Sequence, residues 1–176
     1  SATLMKEKII SAKADCNSVG GVLETAVIGL PAGLGEPWFD TVEGMLSHAM
    51  FSVPAVKGIE FGLGFEFADK TGSQANDQMY VENGNVKCYT NNNGGVTGGI
   101  TNGMPILFRV VVKPTPTISK EQKTVDIRDM SNTTLLAHGR HDPCIVHRAA
   151  VVVESVTALV TADMLSAKFG TDWLAK

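Results

Sequence analysis

The chain has 176 residues, 44% of them hydrophobic and 19% charged, a balance that suits a globular body and excludes a disordered or fibrous one. Fifteen basic residues against eighteen acidic give a formal net charge of -3, which offers no electrostatic footprint for nucleic acid or an anionic membrane surface. Three widely separated cysteines, Cys16, Cys88 and Cys144, suggest neither a disulfide framework nor a paired-cysteine metal knuckle, and a reducing cytoplasm fits them.

Residues 3–14 set Leu4, Ile9 and Ala12 among lysines and a glutamate, a helical stripe that stops at the turn-forming Asp15-Cys16-Asn17-Ser18. This N-terminal stretch lacks the apolar core of a secretory signal. GGVLETAVIGL, 20–30, is β-branched and partly alternating, which predicts a strand. WFDTVEGMLSHAMF predicts a helix with Phe39, Val42, Met45, Leu46 and Ala49 inward. VPAVKGIEFGLGFEFAD then alternates through Ile59, Phe61, Leu63, Phe65 and Phe67, a strand whose glycines permit a bulge or a close approach. Residues 69–85 hold few apolar positions and predict an exposed, mobile excursion.

NNNGGVTGGITNG, 91–103, has two readings: a low-complexity linker, or glycines that let backbone approach a ligand. PILFRVVVKP follows as a strand, and QKTVDI adds a short one. The last element starts near Pro143 and runs to Gly170 as a helix of several turns. Valine and alanine occupy most of its circumference, which predicts burial on several sides. Glu154 interrupts its apolar run short of the roughly 20 residues a membrane span needs. Strands and helices mix without a regular βαβ rhythm, so the expected fold is α+β, in one unit over 1–176.

Chemically capable residues gather at GRHDPC, 139–144. If Pro143 opens the helix, Arg140, His141 and Asp142 sit beside free backbone N–H groups, a place for an anion or for Asp142 as an ordinary cap. Lys113 ends a strand and precedes two threonines, so it either joins them on a phosphate or anionic ring or guards a sheet edge. GGVTGG has neither dinucleotide-loop nor P-loop spacing. His48, on a predicted helix amid Leu46 and Ala49, fits a core or semi-exposed position better than a ligand, and no metal is expected. Cys144 at a helix start is either a thiol of lowered pKa or a small buried residue.

Taken in order, NSVGGVLE, GLGEPWFD, VPAVKGIEFGLGF, GSQAND, NNNGGVTGGITNG, KPTPTIS, QKTVD, GRHDPC and RAAVVVESVTALVTADML resemble chorismate synthases over nearly the whole chain. The resemblance implies a three-layer β/α/β sandwich, here partial, because family members are about twice as long and no GxSHG-like or RxSAR-like segment of their N-terminal half occurs. It implies trans elimination of phosphate from 5-enolpyruvylshikimate 3-phosphate to give chorismate in the shikimate pathway of aromatic amino acid biosynthesis. Reduced FMN is the implied cofactor, with NADPH associated with it in the family and the source of its reduction left open, in a cytoplasmic homotetramer; neither nucleic acid nor membrane is an expected partner. Carried over by motif, Pro54, Ala55, Gly98, Lys113, Pro114, Thr115, Pro116, Thr117 and Arg140 are the implied flavin-binding residues. Asp142 is the implied catalyst, moving a proton at the flavin N5. The half alone is expected to be inactive. An oligomerising fragment without flavin, or a small phosphate-binding module using Lys113 and Arg140, are the rival expectations. Cys16-Asn17-Ser18 stands where the family usually has Gly-Asp-Ser, and His147 precedes Arg148-Ala149 where it has proline; neither change removes an assigned group.

Overall fold

In a computed structural model, which describes residues 1–171, the fold is α+β with antiparallel sheets. The first helix, α1 (Ala2–Ala14), buries only Ala12 and lies on the surface. It ends in Cys16, which takes a left-handed conformation with φ 54. Three strands build the main sheet: β1 (Gly21–Val27), β2 (Val56–Phe61) and, between them in space, β7 (Ile106–Val112). β1 and β7 pair from Gly21↔Val112 to Val27↔Ile106, and β2 and β7 from Val56↔Val112 to Phe61↔Phe108 with a bulge between Val56 and Gly58. Alternation decides which face is which. Ile106, Phe108, Val110 and Val112 are buried on one side of β7, while Leu107, Arg109 and Val111 point the other way.

The buried face packs on α2 (Val42–Phe51) and α4 (Val146–Phe169). Thr41 caps α2, its hydroxyl accepting from the Gly44 N–H at 2.9 Å. Leu34, Leu46, Met50, Phe108, Val110 and Val153 form the centre of the core. Each large side chain among them contributes about 1.5–3 kcal/mol of burial. The remaining strands form three two-stranded hairpins: β3 (Met79–Glu82) with β4 (Asn85–Cys88), β5 (Val96–Thr97) with β6 (Ile100–Thr101), and β8 (Gln122–Asp126) with β9 (Ser131–Leu135). A short α3 (Gly72–Ala75) precedes β3 behind a Thr71–Gln74 capping box.

Several expectations change. Phe39 is exposed, because the chain from Trp38 to Asp40 makes a 3-10 turn and α2 starts only at Val42. Phe65 and Phe67 belong to a 3-10 helix (Gly64–Asp69) and not to a strand, since Gly62 and Gly64 with φ 55 and 56 turn the backbone out of the extended region. Helix α4 begins at Val146, past Pro143, without a side-chain cap. It is also buried along one stripe only, through Val153, Thr157, Thr161 and Met164, whereas Val151, Val152 and Leu159 are exposed, the last at 71%. The reason is geometric: the sheet and α2 cover one side, so the described residues supply two layers of a sandwich. Helix α4 is 24 residues long and contains an 18-residue window of mean hydropathy 1.5, with Glu154 interrupting the apolar run as expected. The stretch 91–103 is no linker, since it contains the β5–β6 hairpin with Val96 and Thr101 buried.

Candidate functional site

Antiparallel pairing puts the starts of β1 and β2 beside the end of β7, and three of the singled-out segments meet there. The Lys113 N–H donates to the Ala55 carbonyl at 2.9 Å, joining Pro54-Ala55 to the lysine. The Ser18 hydroxyl donates to the Thr115 carbonyl at 2.6 Å, and the next residue, Val19, donates its N–H to the Pro143 carbonyl at 2.8 Å. Gly20 makes this possible: a Cβ there would stand 2.3 Å from the Val112 carbonyl oxygen. Ala55 holds φ 73, a conformation costing a non-glycine residue about 1–2 kcal/mol, and such strain concentrates at functional sites.

Lys113, Pro114, Pro116, Thr117 and Arg140 are exposed around this end, and Thr115 is half-buried. Arg140 and His141 share a cleft of about 220 Å³ with Lys13, Cys16, Ile118 and Ser119. Two buried polar atoms at this end, Thr115 Oγ1 and His141 Nε2, meet no hydrogen-bond partner among the described residues. Buried polar atoms are almost always paired, so the two mark places where a ligand's polar edge would be matched. Unmatched polar groups near the exposed cations Lys13, Lys113 and Arg140 suit an anionic ligand.

Asp142 does not cap α4. Its carboxylate accepts from Arg148 Nη1 at 2.7 Å, and its side chain is 34% exposed. The guanidinium comes from the first turn of α4, so the helix start and GRHDPC are tied together by charge as well as by chain.

Gly98 lies elsewhere. It occupies the β5–β6 turn with φ 61, next to Gly99 with φ 86. Gly99 is seated, because a Cβ on it would come within 2.4 Å of Thr41 Cγ2 and its carbonyl accepts from the Val42 N–H. A Cβ on Gly98 would meet no atom within 4 Å. The turn belongs to the Ile106 end, and the seven residues of β7, roughly 20 Å of extended strand, separate it from Lys113.

The sequence reading missed Asp77, which is only 7% exposed inside the supposedly open excursion. Its carboxylate accepts from the Thr90 hydroxyl, the backbone N–H groups of Asn92 and Asn93, and Asn93 Nδ2, all within 2.9 Å. Burial pushes its pKa up, but the bonds from Thr90, Asn93 and Asn92 outweigh that and hold it below the usual carboxylate value. The NNN triplet after an aspartate was the available signal. Cys88, buried nearby, has its thiol pKa pushed up by burial first and by the Asp77 charge second. His48 is exposed and lines a groove with Asp40 and Asp163, on the solvent side of the two positions expected for it. Among the described residues no group of three His, Cys, Asp or Glu is placed to hold a metal ion.

Comparison with known proteins identifies the family. Residues 1–166 match the family described as chorismate synthase. The chain is 48% identical over 162 residues to a chorismate synthase of Methanobrevibacter smithii, covering 92% of this chain and 44% of that protein. It is 52% identical over 161 residues to the one from Thermococcus gammatolerans, with 92% and 45% covered. For Dehalococcoides mccartyi the identity is 54% over 148 residues, with 84% and 41% covered. A crystal structure of chorismate synthase superposes with a TM-score of 0.77 at 37% identity, covering 96% of this chain and 43% of the other. The chain thus spans less than half the length of the relatives it matches, and it belongs to the chorismate synthase family.

Proposed function

We propose that the chain serves the family reaction, elimination of phosphate from 5-enolpyruvylshikimate 3-phosphate to give chorismate, by supplying a flavin-holding end of the active site. The observation that supports it most is the meeting of Pro54-Ala55, Lys113–Thr117 and Arg140–Asp142 at one end of the sheet, with Thr115 Oγ1 and His141 Nε2 buried and unpaired. Reduced FMN, when bound, lends electron density to the departure of phosphate and regains it, so no net oxidation results. Lys113 and Arg140 offset the negative charge that flavin and substrate bring, an effect that grows as water is excluded. Thr115 and Thr117 offer hydroxyls to phosphate or ring edge. Asp142, held by Arg148, presents a carboxylate able to accept and return a proton. The other acids and the substrate-binding arginines belong to the portion of the relatives that this chain does not span, so this chain alone is inactive in turnover. Cytoplasmic action with NADPH-linked flavin reduction, in a homotetramer, goes with the same reading.

Titration with FMN tests it. Quenching of flavin fluorescence by the chain is expected, and Lys113→Ala or Arg140→Ala should weaken it ten- to hundredfold, the worth of one charge-assisted hydrogen bond. Binding of inorganic phosphate without any flavin quenching would favour a bare anion site instead.

A further inference from the structure

Asparagine is followed by glycine three times in the chain, at Asn83-Gly84, Asn93-Gly94 and Asn102-Gly103. The pair is chemically unstable in water. With no side chain on the glycine to hinder it, the glycine nitrogen attacks the asparagine side-chain carbonyl carbon, provided that the side chain is free and the backbone can swing the two together. The fold restrains two of the three. Asn93 Nδ2 and its backbone N–H both donate to Asp77, at 2.8 and 2.9 Å, and the Gly94 N–H is engaged with the Asn91 carbonyl at 3.1 Å. Asn102 Oδ1 accepts from the Met104 N–H at 3.0 Å, and its Nδ2 donates to the Thr97 hydroxyl at 3.1 Å.

Asn83 has neither restraint. It and Gly84 are exposed, the Asn83 side chain and the Gly84 N–H enter no hydrogen bond among the described residues, and a Cβ on Gly84 would meet nothing within 4 Å. The backbone around them is loose as well. With φ 51 and 77 they are the two central residues of the β3–β4 turn, and the strands on either side are exposed except at Tyr80 and Cys88. A two-stranded hairpin with so little burial is marginal by itself and opens locally at small cost.

We infer that Asn83 is a modification site, the one Asn-Gly pair at which the folded chain deamidates, and that isoaspartate there unlatches the β3–β4 hairpin. The Gly84 nitrogen bonds to Asn83 Cγ, and ammonia leaves with the proton of that nitrogen as a cyclic imide closes. Water then opens the ring. Addition at the Cγ carbonyl gives aspartate, and addition at the backbone carbonyl gives isoaspartate, in which the main chain runs through the former side chain; nothing is oxidised or reduced. Isoaspartate lengthens the turn by one methylene, and a two-residue hairpin loop matches the twist of its strands only at its own length. The pairs Glu82↔Asn85 and Val81↔Val86 are therefore lost from the tip downward. Either product also sets a carboxylate next to Glu82, where it competes for Lys87, the partner of Glu82 at 2.5 Å. Opening stops at the base, where Asp77 holds Thr90, Asn92 and Asn93.

Ageing the intact chain in heavy-oxygen water at mildly alkaline pH, followed by peptide mass mapping, tests the site without any variant. Asn83 should take up heavy oxygen at least about tenfold faster than Asn93 or Asn102, and in urea, where the restraining bonds are gone, the three rates should converge. Equal rates in the folded chain would overturn the assignment. So would an Asn83 that stays unmodified over a period in which the unfolded chain reacts. The unlatching has its own readout. The aged fraction that accepts a methyl group from S-adenosylmethionine through an isoaspartyl methyltransferase should exchange the amide hydrogens of residues 79–88 faster than fresh chain, with those of Asn92 and Asn93 unchanged. Fresh Asn83→Asp, which carries the charge without the added methylene, should stay close to the unaltered chain. Exchange in the isoaspartyl fraction as slow as in fresh chain, or as fast in fresh Asn83→Asp as in that fraction, would refute the role given to the lengthened turn.

Discussion

Adding a single methyl group at Gly62 tests how the glycine-rich end is built. Gly62 has φ 55, and a Cβ there would stand 1.9 Å from the Asn92 carbonyl oxygen and 2.5 Å from the Gly94 nitrogen. The left-handed conformation alone costs alanine about 1–2 kcal/mol. The clash costs more, because both obstacles are backbone. Asn92 cannot retreat without stretching the Leu63 N–H to Asn92 carbonyl bond of 2.8 Å, and Gly62 cannot without stretching its own 2.9 Å bond to the Leu107 carbonyl. Two such bonds are worth about 1–3 kcal/mol, so Gly62→Ala should cost about 2–5 kcal/mol in urea unfolding. At this chain length that lowers the melting temperature by roughly 5–15 °C. Gly29, with φ 79 and open space around it, isolates the strain: Gly29→Ala should cost only about 1–2 kcal/mol. Gly72, open and in α3, should gain a few tenths from Gly72→Ala, roughly the helix-propensity difference less fraying. If Gly62→Ala and Gly29→Ala differ by less than about 0.5 kcal/mol, the backbone contact between β2 and the Asn91–Gly95 loop is not what holds that end.

Phe108 is buried at the centre of the sheet with its ring centroid 5.6 Å from that of Phe61, so Phe108→Ala should cost about 3–5 kcal/mol, read from the shift in urea midpoint at unchanged slope. Asp77 has a folded pKa below its unfolded one near 3.9, so its stabilisation is complete above that unfolded value and is lost as pH falls through the lower folded one. Asp77→Asn should accordingly be much less stable than the unaltered chain at pH 7, with the gap closing below about pH 4; a gap constant down to pH 3 would contradict the clamp. Of the three thiols only Cys16 is exposed, and a disulfide reagent should modify one equivalent quickly, with Cys88 and Cys144 following at the rate of unfolding.

Periodicity made the core legible. The run ILFRVVV, apolar and β-branched, marked a strand, and its alternate residues Ile106, Phe108, Val110 and Val112 are the ones that β7 buries. Helix α2 followed from the spacing of Val42, Met45, Leu46 and Ala49, of which Val42 and Leu46 are fully buried, while the buried Met50 was missed. What periodicity could not show was which apolar faces lack a cover: α4 carries the same valines and alanines all round, and only the positions of α2 and the sheet determine that Val153 is inside and Leu159 is not. The excursion at 69–85 was legible in composition but not in its one buried charge, since Asp77 depends on amide donors from residues 92 and 93, supplied by a turn more than a dozen positions away. Motif reading singled out Lys113, Arg140 and Asp142, but not that Arg148 would bind the aspartate or that Gly98 would lie at the far end of β7.

That separation follows from topology and leaves little freedom. In an antiparallel sheet ordered β1-β7-β2, whatever precedes β1 and β2 must share an end with whatever follows β7. Ser18–Gly20, Pro54-Ala55 and Lys113–Thr117 therefore meet irrespective of loop detail, and the start of α4 joins them because Val146 lies against Gly21, 3.2 Å from where a Cβ would be. By the same rule, the residues leaving β1 and β2 and those entering β7 meet at the other end, which places Leu34, Gly62 and the β5–β6 hairpin together. Both ends mix charges: Asp15 and Asp142 pair with Lys120 and Arg148 at one, and Lys168 donates to the Gly33 carbonyl at the other. No rearrangement of loops brings Gly98 to Lys113 while β7 remains a strand between them. The strand order itself, more than any single contact, fixes which segments share an end.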